Sequence, residues 1–154
     1  MRKNIVKQST RFIITFCAGL CLATASQADM RAVGIGVADL QTSSQFYQQI
    51  LGVSVQRTYE LGYLNEIVLG YTGEPGAVLV LMNWPNDDRV YDGGNVKVVF
   101  NVDDAEAVMQ RIVAAGGRID RAASPIDALP GVLVGLGRDL DNYVVEVIQV
   151  QNSQ

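Results

Sequence analysis

The sequence predicts an α+β domain built from two tandem βαβββ modules, one within about residues 30–84 and the other within about 94–150. Each half holds one strand-like run, then a helix-period segment, then three more strand-like runs. The halves superimpose at an offset of about 65 residues. Ala32 falls on Lys97, Val33 on Val98, Ile35 on Phe100, Val37 on Val102, and LVLM (79–82) falls on VEVI (145–148). No linker or low-complexity tract separates the halves, so residues 29–154 read as one domain.

The first strand, RAVGIGVADL (31–40), alternates bulky Val33, Ile35 and Val37 with small Ala32, Gly34, Gly36 and Ala38. Glycine weakens a strand interior and often marks a close approach, so the small face points to a cavity. In TSSQFYQQILG (42–52), Thr42, Ser43 or Ser44 can cap a helix whose apolar stripe is Phe46, Tyr47, Ile50 and Leu51, with Gly52 as its stop. Three strands follow in VSVQRTYE (53–60), YLNEIVLGY (63–71) and GAVLVLMNW (76–84), the last preceded by the turn signal GEPG (73–76).

After the polar loop PNDDRVYDGG (85–94), NVKVVFNV (95–102) puts Val96, Val98, Phe100 and Val102 on one face and Asn95, Lys97, Val99 and Asn101 on the other. A single charge among small and polar groups faces either bulk water or a cavity. The helix DDAEAVMQRIVAAGG (103–117) carries Asp103 and Glu106 at capping-box spacing, an apolar face of Ala105, Val108, Met109, Ile112 and Val113, and Gly116–Gly117 as terminator. Strands in GRIDRA (117–122), GVLVGLGRD (131–139) and YVVEVIQV (143–150) complete the second module.

Residues 1–28 read as a secretory signal peptide: Arg2, Lys3, Lys7 and Arg11 precede an apolar run too short to span a bilayer, with small Ser26 and Ala28 before the cut. A secreted, periplasmic location is expected, with no stable membrane span after cleavage. Both cysteines, Cys17 and Cys21, lie in that leader, and the chain contains no histidine. The remainder therefore lacks thiolate and imidazole ligands and any Ser-His or Cys-His arrangement. Four of the 12 Lys and Arg residues fall in the leader while all 16 Asp and Glu residues lie downstream, so the mature chain carries eight cations against 16 acids, a net −8. That balance, without a basic run, excludes nucleic acid as a partner.

VGIGVADLQTSSQFYQQILGV (33–53) resembles the opening strand and FY…LG helix of the vicinal oxygen chelate superfamily, which comprises glyoxalases, bleomycin resistance proteins and extradiol dioxygenases. RDLDNYVVEVIQ (138–149) resembles that family's closing DPDG-type turn, with Leu140 for Pro and Asn142 for Gly, and the second half is similar to the C-terminal module of a bacterial glyoxalase I. Asn tolerates the left-handed backbone that Gly would supply. The resemblance implies a glyoxalase-like fold, in which two modules form a cupped, half-open mixed β-sheet barrel, and a homodimer. It also implies a divalent metal held by four ligands pointing into the cup. The usual first-strand His falls at Ala32 and at Lys97, and the usual last-strand Glu at Val80 and at Glu146. Only Glu146 is retained, since Ala and Val have no donor atom and a protonated Lys has no lone pair.

By the resemblance Lys97 and Glu146 face the cup side by side. Two readings stand: an anchor for an anionic or carbonyl oxygen of a small organic ligand, or an ordinary cross-strand pair on a solvated face. The leading expectation is an exported, metal-independent small-molecule-binding module, sequestering or carrier in type, with no cofactor and with Lys97, Glu146, Ala32, Val80 and Asn95 lining the site. The alternative is an enzyme, a glyoxalase I-type lyase or isomerase or a dioxygenase-like protein, with Glu146 as general base. Tyr59, Tyr63, Tyr71, Trp84 and Tyr91 are candidates for a pocket wall or for core and interface packing. Asp87, Asp88 and Asp92 read as a solvated loop.

Overall fold

A computed structural model describes residues 32–74 and 78–151. The expected leader, residues 1–28, lies outside the described residues, as do Pro75 and Gly76 of the GEPG turn. The first module comprises β1 (Ala32–Gly36), α1 (Leu40–Leu51), β2 (Ser54–Glu60), β3 (Asn65–Gly70) and β4 (Val78–Asn83). The second comprises β5 (Lys97–Asn101), α2 (Ala105–Ala114), β6 (Arg118–Ile126), β7 (Leu129–Arg138) and β8 (Val144–Val150). Each makes a four-stranded mixed sheet of the same order, β1-β4-β3-β2 and β5-β8-β7-β6. The first strand pairs parallel with the last, and the other pairings are antiparallel. The duplicated α+β fold is therefore as expected, and among the described residues the sheets remain open.

Both helices are capped by residues other than the expected ones, one position later in α2 and at least three positions earlier in α1. Asp39, with extended backbone, caps α1 by accepting from Thr42 N at 2.8 Å, and Asp104 caps α2 by accepting from Ala107 N at 2.9 Å. Thr42, Ser43, Ser44 and Asp103 are therefore not the caps. An Asp side chain in extended backbone directly before the first helical residue reaches the free N–H groups, whereas residues 42–44 already lie within the helix. Gly52 ends α1 at φ +71°, and Asn142 takes the left-handed conformation at φ 68°, as the sequence suggests.

The stripe Phe46, Tyr47 and Ile50 on α1 and Val108, Met109 and Ile112 on α2 are buried, and the helices pack on one another in a core shared by both modules. Val96 and Val113 are exposed rather than core. Val96 precedes β5 and Val113 turns away from the sheet at the helix end. A buried polar seam adds direction to this apolar contact. Tyr47 Oη donates to Asp139 Oδ2 at 2.6 Å, Ala38 N donates to Asp141 Oδ1 at 2.9 Å, and Ser43 Oγ donates to Asp141 Oδ2 at 3.1 Å. The β7–β8 turn of the second module is thereby fastened to the start of α1 in the first.

Candidate functional site

Register places the candidate residues. In the parallel β5–β8 pair Lys97 lies opposite Val144 and Val99 opposite Glu146, so these four share the face that turns away from α2. Val98, Val145 and Val147 occupy the other face and are buried. Lys97 Nζ donates to Glu146 Oε2 at 2.6 Å, diagonally across the two strands. The lysine side chain is 49% exposed and the carboxylate 15%. Glu146 is thus sheltered between Val99 on β5 and Leu136, its partner on β7, while the ammonium looks outward. Among the described residues Glu146 Oε1 accepts no hydrogen bond, and Lys97 Nζ has one of its three donors engaged.

Further along the same face Arg138 Nε pairs with Asp120 Oδ2 at 2.6 Å, and that guanidinium beside Asp120 holds its carboxyl below the usual carboxylate range. The sheet face is therefore charged and internally paired. On stability alone, a half-exposed pair such as Lys97–Glu146 contributes about 0.2–1 kcal/mol.

The first module presents a different surface at the equivalent positions. Gly34 lies opposite Val80 in the β1–β4 register, and Ala32, the counterpart of Lys97, precedes it by two residues on the same face. The small residues there have close side-chain neighbours. A Cβ on Gly34 would stand 2.9 Å from Met82 Cε, and one on Gly36 would stand 2.9 Å from Tyr91 Cε1 and 3.4 Å from the Trp84 ring. Met82 and Tyr91 thus crowd the small residues of β1, although Gly34 itself stays exposed, so the expected space above Gly34 and Gly36 is narrowed by side chains from β4 and the inter-module connection.

Tyr91 Oη accepts from Trp84 N at 3.1 Å, and Arg89 stacks on Trp84 at 3.7 Å while pairing with Asp87 at 2.9 Å. Trp84 and Tyr91 thus serve the connection between modules. Tyr59, Tyr63 and Tyr71 are exposed. Asn95 sits in a turn before β5 rather than on the strand, exposed. The structure therefore brings together Lys97 and Glu146, sets Ala32 and Val80 on the matching face of the other module, and leaves Asn95 at the edge. A cleft of about 580 Å³ at the ends of β5 and β8, lined by Asn101, Asp103, Gln149 and Gln151, does not include the pair.

Two βαβββ sheets joined by back-to-back helices, with a single carboxylate retained on the open face, define a glyoxalase-fold protein. The chain belongs to the Glyoxalase/Bleomycin resistance protein/Dioxygenase superfamily, whose family model matches residues 30–147. It is 36% identical over 119 residues to a probable lactoylglutathione lyase of Vibrio cholerae, covering 73% of this chain and 84% of the relative. It is 30% identical over 122 residues to the lactoylglutathione lyase of Haemophilus influenzae, covering 77% and 90%. Among solved structures, glyoxalase I from Zea mays superimposes with a TM-score of 0.69 at 22% identity, over 80% of this chain and 45% of that one, so this chain spans about half of the maize protein.

These relatives correct two expectations. Similarity to lactoylglutathione lyases over most of the chain favours a glyoxalase I-type enzyme over a metal-independent sequestering or carrier module. The expectation of no cofactor falls with it, because the superfamily resemblance that these relatives bear out implies a divalent metal. The physical reason is that substitutions at Ala32, Val80 and Lys97 report what those side chains cannot ligate, and do not by themselves report the reaction. As a ligand set, however, the four positions do not fit a metal: they offer one carboxylate and one ammonium, and among the described residues no group of three His, Cys, Asp or Glu comes together.

Proposed function

We propose that this protein is a glyoxalase I-type lyase acting on a glutathione thioester or its isomer, with Glu146 as the group that moves the proton. The observation that carries this reading is Glu146 itself, a sheltered carboxylate with one open oxygen on the face where the relatives' resemblance puts their retained glutamate. A lactoyl thioester and the adduct of a thiol with a 2-oxoaldehyde are isomers that differ in which of two adjacent carbons bears the hydrogen. A carboxylate that can reach both carbons takes the proton from one and returns it to the other, a role that contributes about 10²–10⁴-fold in rate. The low exposure of Glu146, between Val99 and Leu136, reduces the water around that carboxylate.

A homodimer belongs to this reading, supported by the edge strands β1 and β5 and by exposed Val96 and Val99 beside the pair. The decisive experiment mixes methylglyoxal and glutathione with the purified protein, with and without added divalent metals, and follows thioester absorbance. Thioester formation above the buffer rate, lost by about 10²-fold or more in Glu146→Gln, is expected. No rate above buffer under any metal condition would reject the lyase reading. Full activity in Glu146→Gln would reject the role of the carboxylate.

A further inference from the structure

We infer that Lys97 is a second catalytic group of the site, binding the substrate oxygen on which charge develops while Glu146 holds the proton. This rests on the lyase reading above. The resemblance gives this position to a metal-ligating histidine, so the ammonium is a property of this chain rather than of the family, and three geometric facts set its role.

The pair is open in the right places. Lys97 Nζ spends one N–H on Glu146 Oε2 at 2.6 Å and keeps two, on a side chain that is half exposed on the same face. Glu146 Oε1 is without a partner among the described residues. A donor and an acceptor therefore stand side by side, as needed to engage a carbonyl oxygen and the hydrogen on the neighbouring carbon at once. The pair also has no duplicate: the first module has Ala32 and Val80 at the two positions, and neither can carry a proton. Finally, Glu146 is only 15% exposed between its strand neighbours Val99 and Leu136 while Lys97 is 49% exposed, so the carboxylate is held in place and the ammonium is free to meet a substrate oxygen.

The step balances as follows. Glu146 Oε1 takes the proton from the carbon bearing hydroxyl and sulfur, and that electron pair forms a double bond to the adjacent carbonyl carbon. The carbonyl π pair moves onto its oxygen, which accepts from Lys97 Nζ. Glu146 then returns the proton to the second carbon. Lys97 gives a proton to the oxygen there and receives one from the first carbon's hydroxyl, which becomes the thioester carbonyl. Lysine and glutamate end as they began, and no oxidant or reductant enters.

The test uses the full chain, the methylglyoxal–glutathione adduct, and the variants Lys97→Ala, Lys97→Arg and Glu146→Gln, with thermal melting as the check on folding. Lys97 is half exposed on an edge strand, so Lys97→Ala is expected to fold. Its kcat should fall by about 10²–10³-fold, the loss typical of one oxyanion donor, with KM moving far less. Lys97→Arg, which keeps the N–H donors, should retain more of kcat than Lys97→Ala. Ethylammonium added to Lys97→Ala should restore rate in a saturable way, and tetramethylammonium, which has charge but no N–H, should not. An active wild type with inactive Glu146→Gln and unchanged kcat in Lys97→Ala overturns this inference while leaving the lyase reading standing. If Lys97→Ala does not fold, full kcat in Lys97→Met does the same. A wild type without lyase activity overturns both.

Discussion

Replacing Tyr47 with Phe removes one oxygen from the shell of a buried carboxylate and leaves the ring packing on Phe46 in place. Asp139 is buried and takes three hydrogen bonds, from Tyr47 Oη at 2.6 Å, Tyr143 N at 2.8 Å and Asp141 N at 3.1 Å. A hydrogen bond to a charged group is worth about 1.5–3 kcal/mol, and that is the loss expected for Tyr47→Phe at neutral pH. The loss should depend on pH. Burial raises the Asp139 carboxyl above the ordinary aspartate value of 3.8, and the Tyr47 hydrogen bond partly opposes the rise. A carboxyl with a raised folded value contributes stability that is fully present below 3.8 and is lost as pH climbs through the raised value. Below that window Asp139 is protonated, and the Tyr47 bond is one between neutral groups, worth about 0.5–1.5 kcal/mol. Urea denaturation of wild type and Tyr47→Phe across this range is the assay. The difference between them should be largest at pH 7 and shrink on acidification. Asp139→Asn, which cannot ionise, should flatten the pH dependence. A constant difference at every pH, or no difference at pH 7, would refute the account of Asp139 as a buried carboxylate held by Tyr47.

Two further substitutions probe the frame that holds the site. Gly93→Ala should destabilise by about 1–3 kcal/mol in chemical denaturation, because Gly93 sits at φ +69° and an added Cβ would overlap the backbone of Asn142. Asp104→Ala removes the α2 cap and should cost about 0.5–2 kcal/mol by the same measurement, whereas Asp103→Ala should cost less, since Asp103 is not the cap.

The duplicated strand order was legible because hydrophobic alternation is imposed by the shared core, and both modules obey it at nearly the same offset. The caps are legible from the repeat, though not from Ser and Thr content. Asp39 and Asp104 are 65 residues apart, the repeat distance itself, so the duplication pointed to them more directly than Ser or Thr content did. Lys97 and Glu146 could be found because strand register decides which side chains share a face. The neighbours of the β1 glycines could not. Glycine on a strand announces a close neighbour without naming it, and Met82 and Tyr91 reach Gly34 and Gly36 from β4 and from the inter-module connection. The Tyr47–Asp139 and Ser43–Asp141 bonds also escaped. They join two motifs 92 and 98 residues apart in the chain, and nothing local to either motif marks the other as its partner.

The two modules differ where their shared ancestry of pattern leaves them free to differ. On the helix-packed face a change of one methylene disturbs a close-packed interior, so Ile35 and Phe100, or Leu81 and Val147, remain apolar in both halves. On the open face no such packing applies, and the same two register positions hold Ala32 and Val80 in one half but Lys97 and Glu146 in the other. Burying such a charge pair under apolar side chains would remove both ions from water at a cost of several kcal/mol each before their mutual attraction is counted, and the half-exposed Lys97 avoids that cost. The first module is fastened to this sheet through the Asp139–Asp141 turn, which leads directly into β8 and Glu146.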